Sequence, residues 1–323
     1  MKLPSASTFL KRILALAIAL PALFILIAPA GAQAQRETIS VAANRTSVNH
    51  IWAYWGKEKG IFEKYGIDLQ IIDNVADPVA ALVSGQVQFI THGVQLQQAA
   101  TRGLPLKAVM VTANDNLGVY AGPAIKSIQD LRGKRIIAPY DSLKDVLRRN
   151  GVDPDREVTW VVSRGAPMVN LELVKRGEAD AFASFPASRS LSEELGLHEV
   201  LRIGQFIPGG PVAIVGTTDK IIAERSQTVT RMIRATLETL ASLRSNRDGV
   251  IEYTMRVMKY NRGSAEEAYA TIARDMPQDG LSSDEALKIT LESTKKGQGN
   301  TDNIPLSQVW NFTLLREVLK TRK

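Results

Sequence analysis

Seven consecutive residues, Asn44-Arg-Thr-Ser-Val-Asn-His50, follow a β-rich run and are dense in hydrogen-bond donors. Arg45 could grip a carboxylate or sulfonate through two parallel N–H bonds. Asn44, Thr46, Asn49 and His50 could donate to the oxygens of a small ligand, and Trp52 could flank it with a ring. A second cluster, His92-Gly93-Val94-Gln95, follows another β-rich run, where Gly93 permits close backbone approach. Ser142, Arg164, Gly165, Phe185 and Gly209 stand in comparable settings further along the chain. The chemistry of these groups is non-covalent capture of a small molecule. Each also has a plainer reading. Arg45 and Arg164 are equally readable as solvated arginines, and His50 and His92 as structural histidines. Trp52, Tyr54 and Trp55 cannot all face one way on a helix, so two of the three belong to the core. His198 and Trp310 read as structural.

Several reaction classes are excluded or unsupported. Cysteine is absent, which removes disulfides, thiolate metal sites, a cysteine nucleophile and a lipid-modified cysteine. The histidine spacing matches no metal site. There is no G-x-S-x-G elbow, P-loop or glycine-rich dinucleotide motif, so neither a cofactor nor catalysis is expected. The formal charge is +7, but residues 1–34 carry three basic side chains and no acidic ones. The remainder has 37 basic and 33 acidic residues, scattered along the chain. That balance gives no footprint for nucleic acid.

The elements that must position these groups alternate between short strands and helical patterns, the mark of an α/β fold. Strands are expected at 38–43, 67–72, 87–91, 106–112, 135–138, 158–162, 179–183 and 212–216. Helices are expected at 49–59, at 94–102 and from Asp77-Pro78 to Gly85, where Asp is the N-cap and Pro the first helical residue. From Asp219 onward the chain reads as helical. Open α/β sheets bind ligands beyond the carboxyl ends of their strands, and the donor-rich clusters fall there. With 323 residues and 45% hydrophobic composition, the chain can form two lobes of ordinary size.

The first 34 residues read as a secretory signal. Lys11-Arg12 precedes the apolar run Ile13–Ala28, and Ala32-Gln-Ala34 supplies the small residues of a cleavage site after Ala34. A mature protein outside the cytoplasm, not inserted in the membrane, is expected.

Five blocks in register carry a family resemblance. They are Trp52–Leu69, with Lys57-Glu-Lys-Gly-Ile-Phe62 at its centre; Ala81–Ile90; Gly93 with Ala99–Lys107; Ile128–Ile136; and Leu173–Ala183 followed by Phe185-Pro186. Together they resemble the NMT1/THI5-like solute-binding proteins, a group with sulfonate, taurine, nitrate and pyrimidine-precursor binders. The resemblance implies a two-lobed, periplasmic-binding-protein-like (type II) α/β fold. Each lobe would be a mostly parallel sheet flanked by helices, with the ligand cleft at the hinge. It implies a lobe 1 built from 35–117 and 216–323, and a lobe 2 from 118–215. The implied partners are a small-molecule ligand, a small organic anion or else a heteroaromatic such as a pyrimidine precursor, and the permease subunits of an ABC transporter, with a ligand-sensing subunit serving a sensor as the alternative. A monomer is expected. The sequence departs from the pattern after the strand at 135–138, where Pro139-Tyr-Asp-Ser142 leads directly into Leu143–Arg149. A more open wall is expected there. The family's relatives include enzymes, among them a pyrimidine synthase that needs a cysteine-rich iron motif, which a chain without cysteine lacks.

Overall fold

The structure, a computed structural model, describes residues 36–137, 140–163, 167–185 and 189–322. The expected signal segment 1–34 and the candidates Arg164 and Gly165 lie outside the described residues.

The chain opens with β1 (Glu37–Ala43), α1 (Ile51–Glu58), α2 (Ile61–Lys64), β2 (Ile67–Asp73), α3 (Pro78–Val83), β3 (Phe89–His92), α4 (Gly93–Ala100) and β4 (Leu106–Asn114). β1 pairs in parallel with β2, from Glu37 opposite Ile67 to Ala43 opposite Asp73, and with β3 on its other side. Ile39, Val41, Ala42 and Ala43 are fully buried, as expected when helices cover both faces of a parallel sheet. Local signals set the helix limits. Asp77 caps α3 by accepting from the Ala80 N–H at 2.9 Å, with Pro78 first in the helix. Gly60, at φ +67°, breaks the path between α1 and α2.

After β4 the chain crosses into a second sheet. This part holds β5 (Gly118–Ala121), β6 (Lys134–Ile137), α5 (Asp141–Arg149), β7 (Val158–Val161), α6 (Pro167–Lys175), β8 (Ala181–Ser184), α7 (Arg189–Glu194) and β9 (His198–Arg202). It then returns through β10 (Pro211–Thr218) to α8 (Asp219–Glu224), α9 (Ser226–Ser245), α10 (Arg247–Val257), α11 (Arg262–Asp275), α12 (Asp284–Gly297) and α13 (Thr313–Thr321). The sheets run β2-β1-β3-β10-β4 and β7-β6-β8-β5-β9. Both have three parallel strands followed by an antiparallel pair. In each, the inserted antiparallel strand arrives from the other lobe. This is the expected two-lobed α/β fold.

Two details differ from the sequence reading. β10 lies between β3 and β4, so residues 211–215 pair within the first sheet rather than the second. The short strands β5 and β9 were not anticipated individually. The long α9 buries Val229, Met232, Ile233, Leu237, Leu240 and Leu243 along one stripe. It packs so tightly on α1 that a Cβ at Gly56 would stand 2.5 Å from Phe62 and Thr239. Arg225 and Arg231 both bind Glu37, fastening this helix to the start of β1.

The two lobes are joined by paired crossings. The Asp115 N–H donates to Gly210 C=O at 2.6 Å, and the Ile203 N–H donates to Leu117 C=O at 2.9 Å. Gly204 allows this approach, since a Cβ there would lie 2.7 Å from the Asp115 carbonyl oxygen.

Candidate binding cleft

A cavity of about 50 Å³ lies where the strand ends of the two lobes meet. Val94 and Gln97 of α4 form one wall, and Tyr140, Asp141 and Ser142 at the start of α5 form another, with Phe185 after β8. Asp115, Ile207 and Gly210 on the crossings form the floor. Thr290, Ser293 and Thr294 of α12 close the side. Room for a few waters, but not for a ring, marks a closed state.

Contacts on both flanks hold the lobes together. On one side the Gln98 side-chain amide donates to Asp141 at 3.2 Å, and Lys296 Nζ lies 3.4 Å from the Asp145 carboxylate. On the other, the Asn261 amide donates to Glu194 at 3.0 Å, joining α11 to α7.

The candidates read from sequence divide into three groups. Val94, Ser142 and Phe185 line the cavity. Phe185 meets Tyr140 edge to face, with centroids 5.5 Å apart. Gly209 sits beside the floor at φ +78°, its carbonyl accepting from the Ser282 hydroxyl at 2.5 Å.

A second group shapes the loop around the cleft. The Asn44 N–H donates to His50 Nδ1 at 3.0 Å, which leaves the proton on His50 Nε2. The His50 and His92 rings lie 4.6 Å apart, edge to face. Burial, with the neighbouring His92 adding to it, holds His50 well below the usual imidazole range, and burial pushes His92 down to about 4. Both are therefore neutral at pH 7. Thr46 donates its hydroxyl to Asn44 Oδ1 at 2.7 Å. Asn49 and Asn116 exchange amide bonds of 2.8 and 3.3 Å, tying this loop to the crossing.

The third group has other employment. Arg45 Nε donates to Asp73 Oδ2 at 2.8 Å and its N–H to Asp73 Oδ1 at 2.9 Å, while the Tyr54 hydroxyl donates to the same carboxylate at 2.8 Å. The expected anion anchor is thus spent on joining the ends of β1 and β2. Trp52 is fully buried, packs on Phe62 within the first lobe and does not line the cavity. Gly93 does serve a close approach, but to protein. A Cβ there would lie 2.5 Å from the Val212 carbonyl oxygen. Gln95 is exposed on α4 and does not line the cavity.

Asp115, Tyr140, Thr290 and Ser293 were not singled out from sequence. Tyr140 adjoins Ser142 and was within reach. The others sit on a crossing and on a C-terminal helix, where no local pattern marks them. No group of side chains among the described residues could hold a metal ion, and no described helix is long and apolar enough to cross a membrane.

The NMT1/THI5-like family profile matches residues 47–248. The chain belongs to the NMT1/THI5-like family. Within curated sequences, this NMT1/THI5-like chain is 25% identical over 276 residues to a candidate binding protein of Brucella abortus (strain 2308), covering 77% of this chain and 81% of the relative. Among solved structures it resembles the alkanesulfonate-binding protein SsuA of Xanthomonas axonopodis pv. citri, bound to MOPS. There the TM-score is 0.69 at 15% identity, over 86% of this chain and 99% of the other. It also resembles the desulfurization enzyme DszB, with TM-score 0.65 at 14% identity, over 88% of this chain and 99% of that one. At such identities the shared property is the fold alone, and among these structures that fold serves a binding protein and an enzyme.

Proposed function

We propose that the chain is the solute-binding component of an ABC import system, taking up a small organic molecule between its lobes and presenting the closed form to permease subunits. The observation that carries this reading is the cavity between two sheets joined by paired crossings and held shut on both flanks. A ligand touching both lobes favours the closed form by its differential affinity for it. The protein is proposed to act outside the cytoplasm as a monomer after cleavage at Ala34, and to bind without turnover. X-ray scattering on the purified protein tests it. A ligand that binds tightly should reduce the radius of gyration, and a protein that stays equally compact with every ligand bound would refute the closure.

For the ligand, similarity to a sulfonate binder supports a small organic anion. Arg164, the remaining proposed anchor, would then hold it together with Asn44, His50, His92 and Ser142. The second reading, a heteroaromatic solute, is supported by the Tyr140–Phe185 pair and by the commitment of Arg45 to Asp73.

A further inference from the structure

The floor of the cavity carries a carboxylate that the sequence patterns do not mark. Asp115 accepts from the Leu117 N–H at 3.0 Å, and Ser142 in the first turn of α5 lines the same space. Part of the residue reaches the surface, yet the protein packed around its carboxyl pushes the pKa up to about 6, with Asp275 adding to the shift. Asp141 lines the same cavity. Facing them is Ser293, only 4% exposed, whose hydroxyl has no hydrogen-bond partner. A buried hydroxyl left unsatisfied is costly, and a ligand atom in the cavity would relieve it. Among the described residues, the lining holds two carboxylates, a phenol and hydroxyls, but neither Lys nor Arg. An anion placed there would meet like charge in surroundings that screen poorly.

We infer that this cleft selects a small flat solute bearing an N–H donor, an amine, amidine or ring N–H, with Asp115 accepting from it, Ser293 bonding its far edge, and Tyr140 and Phe185 bordering its faces. The inference deepens the second, heteroaromatic reading of the ligand against the anion reading, and rests on the cavity being the solute site. It also requires the lobes to part somewhat from the present closed state to admit a ring.

The test is titration calorimetry at pH 7.5 on the mature protein with an isosteric pair of probes, benzamidine and benzoate. Benzamidine should bind at least about tenfold more tightly. In Asp115→Asn the preference should fall to near unity, and Ser293→Ala should weaken benzamidine by about three- to tenfold. Benzoate binding as tightly as benzamidine overturns the inference, and so does a benzamidine preference unchanged in Asp115→Asn, or no benzamidine binding at millimolar concentration. Failure of the broader binding reading would show separately, as an absence of compaction in scattering across a panel of amines, carboxylates and sulfonates.

Discussion

Lys296 Nζ lies 3.4 Å from the Asp145 carboxylate, reaching from α12 to a helix of the second lobe. The Asp145 side chain is 2% exposed and its other close cation, Arg149, stands 2.7 Å away. Lys296 is half exposed, so the pair adds little to the stability of either lobe. Its proposed role is to bias the lobes toward the closed form. In Lys296→Met combined with Gln98→Ala, the decrease in radius of gyration on ligand binding should be smaller than in the parent. Ligand affinity should fall by about three- to tenfold, with a melting temperature within about 3 °C of the parent.

Asp115 predicts a pH dependence of defined sign. Its carboxyl titrates at about 6 in the folded protein, against about 4 in an unfolded chain. The folded state therefore holds the proton more strongly, and stability is lost as pH rises from about 4 to 6. Asp115→Asn should be more stable than the parent at pH 7 by an amount of the order of 1–3 kcal/mol, and equal to it below about pH 4. Denaturant melts at pH 3.5, 5 and 7 would show this. A variant destabilised equally at all three would contradict the assignment.

His92 acts in the opposite direction. Burial lowers its pKa to about 4, from about 6.5 in an unfolded chain. The stability of holding it neutral is complete above pH 6.5 and is lost as pH falls from there toward 4. His92→Gln should flatten the acid limb of a stability–pH curve over that window. The companion ring of His50, neutral and bonded to the Asn44 N–H, should give an NMR signal that does not titrate between pH 5.5 and 8.

Arg45→Ala separates the surface network from the binding site. The guanidinium is half exposed and paired with Asp73, so its loss should cost less than about 1 kcal/mol. Affinity for whichever solute binds should stay within about twofold, because Arg45 does not line the cavity. A loss of about tenfold or more, by calorimetry, would return it to the site.

Gly93→Ala probes the close packing of α4 on β10. The new Cβ would stand 2.5 Å from the Val212 carbonyl oxygen, with backbone on both sides and no flexible side chain to yield. A cost of about 1–3 kcal/mol is expected from such overpacking, measured as a lowered denaturation midpoint with unchanged slope.

Much of the architecture was legible one segment at a time. The cap Asp77-Pro78, the apolar strand cores and the family blocks all depend on neighbours within a few residues, and local propensity acts at that range. The same logic placed donor-rich loops at strand ends, and of those candidates Val94, Ser142 and Phe185 line the cavity. What residue order alone could not assign was the partner of each polar group. Arg45 met Asp73 because parallel pairing brings the ends of β1 and β2 together, 28 residues apart in the chain. Asp115, Ser142 and Ser293 converge only because two crossings and a late helix close over one space. Contacts between segments so distant in sequence are set by how whole layers stack, and no periodicity within either segment encodes them.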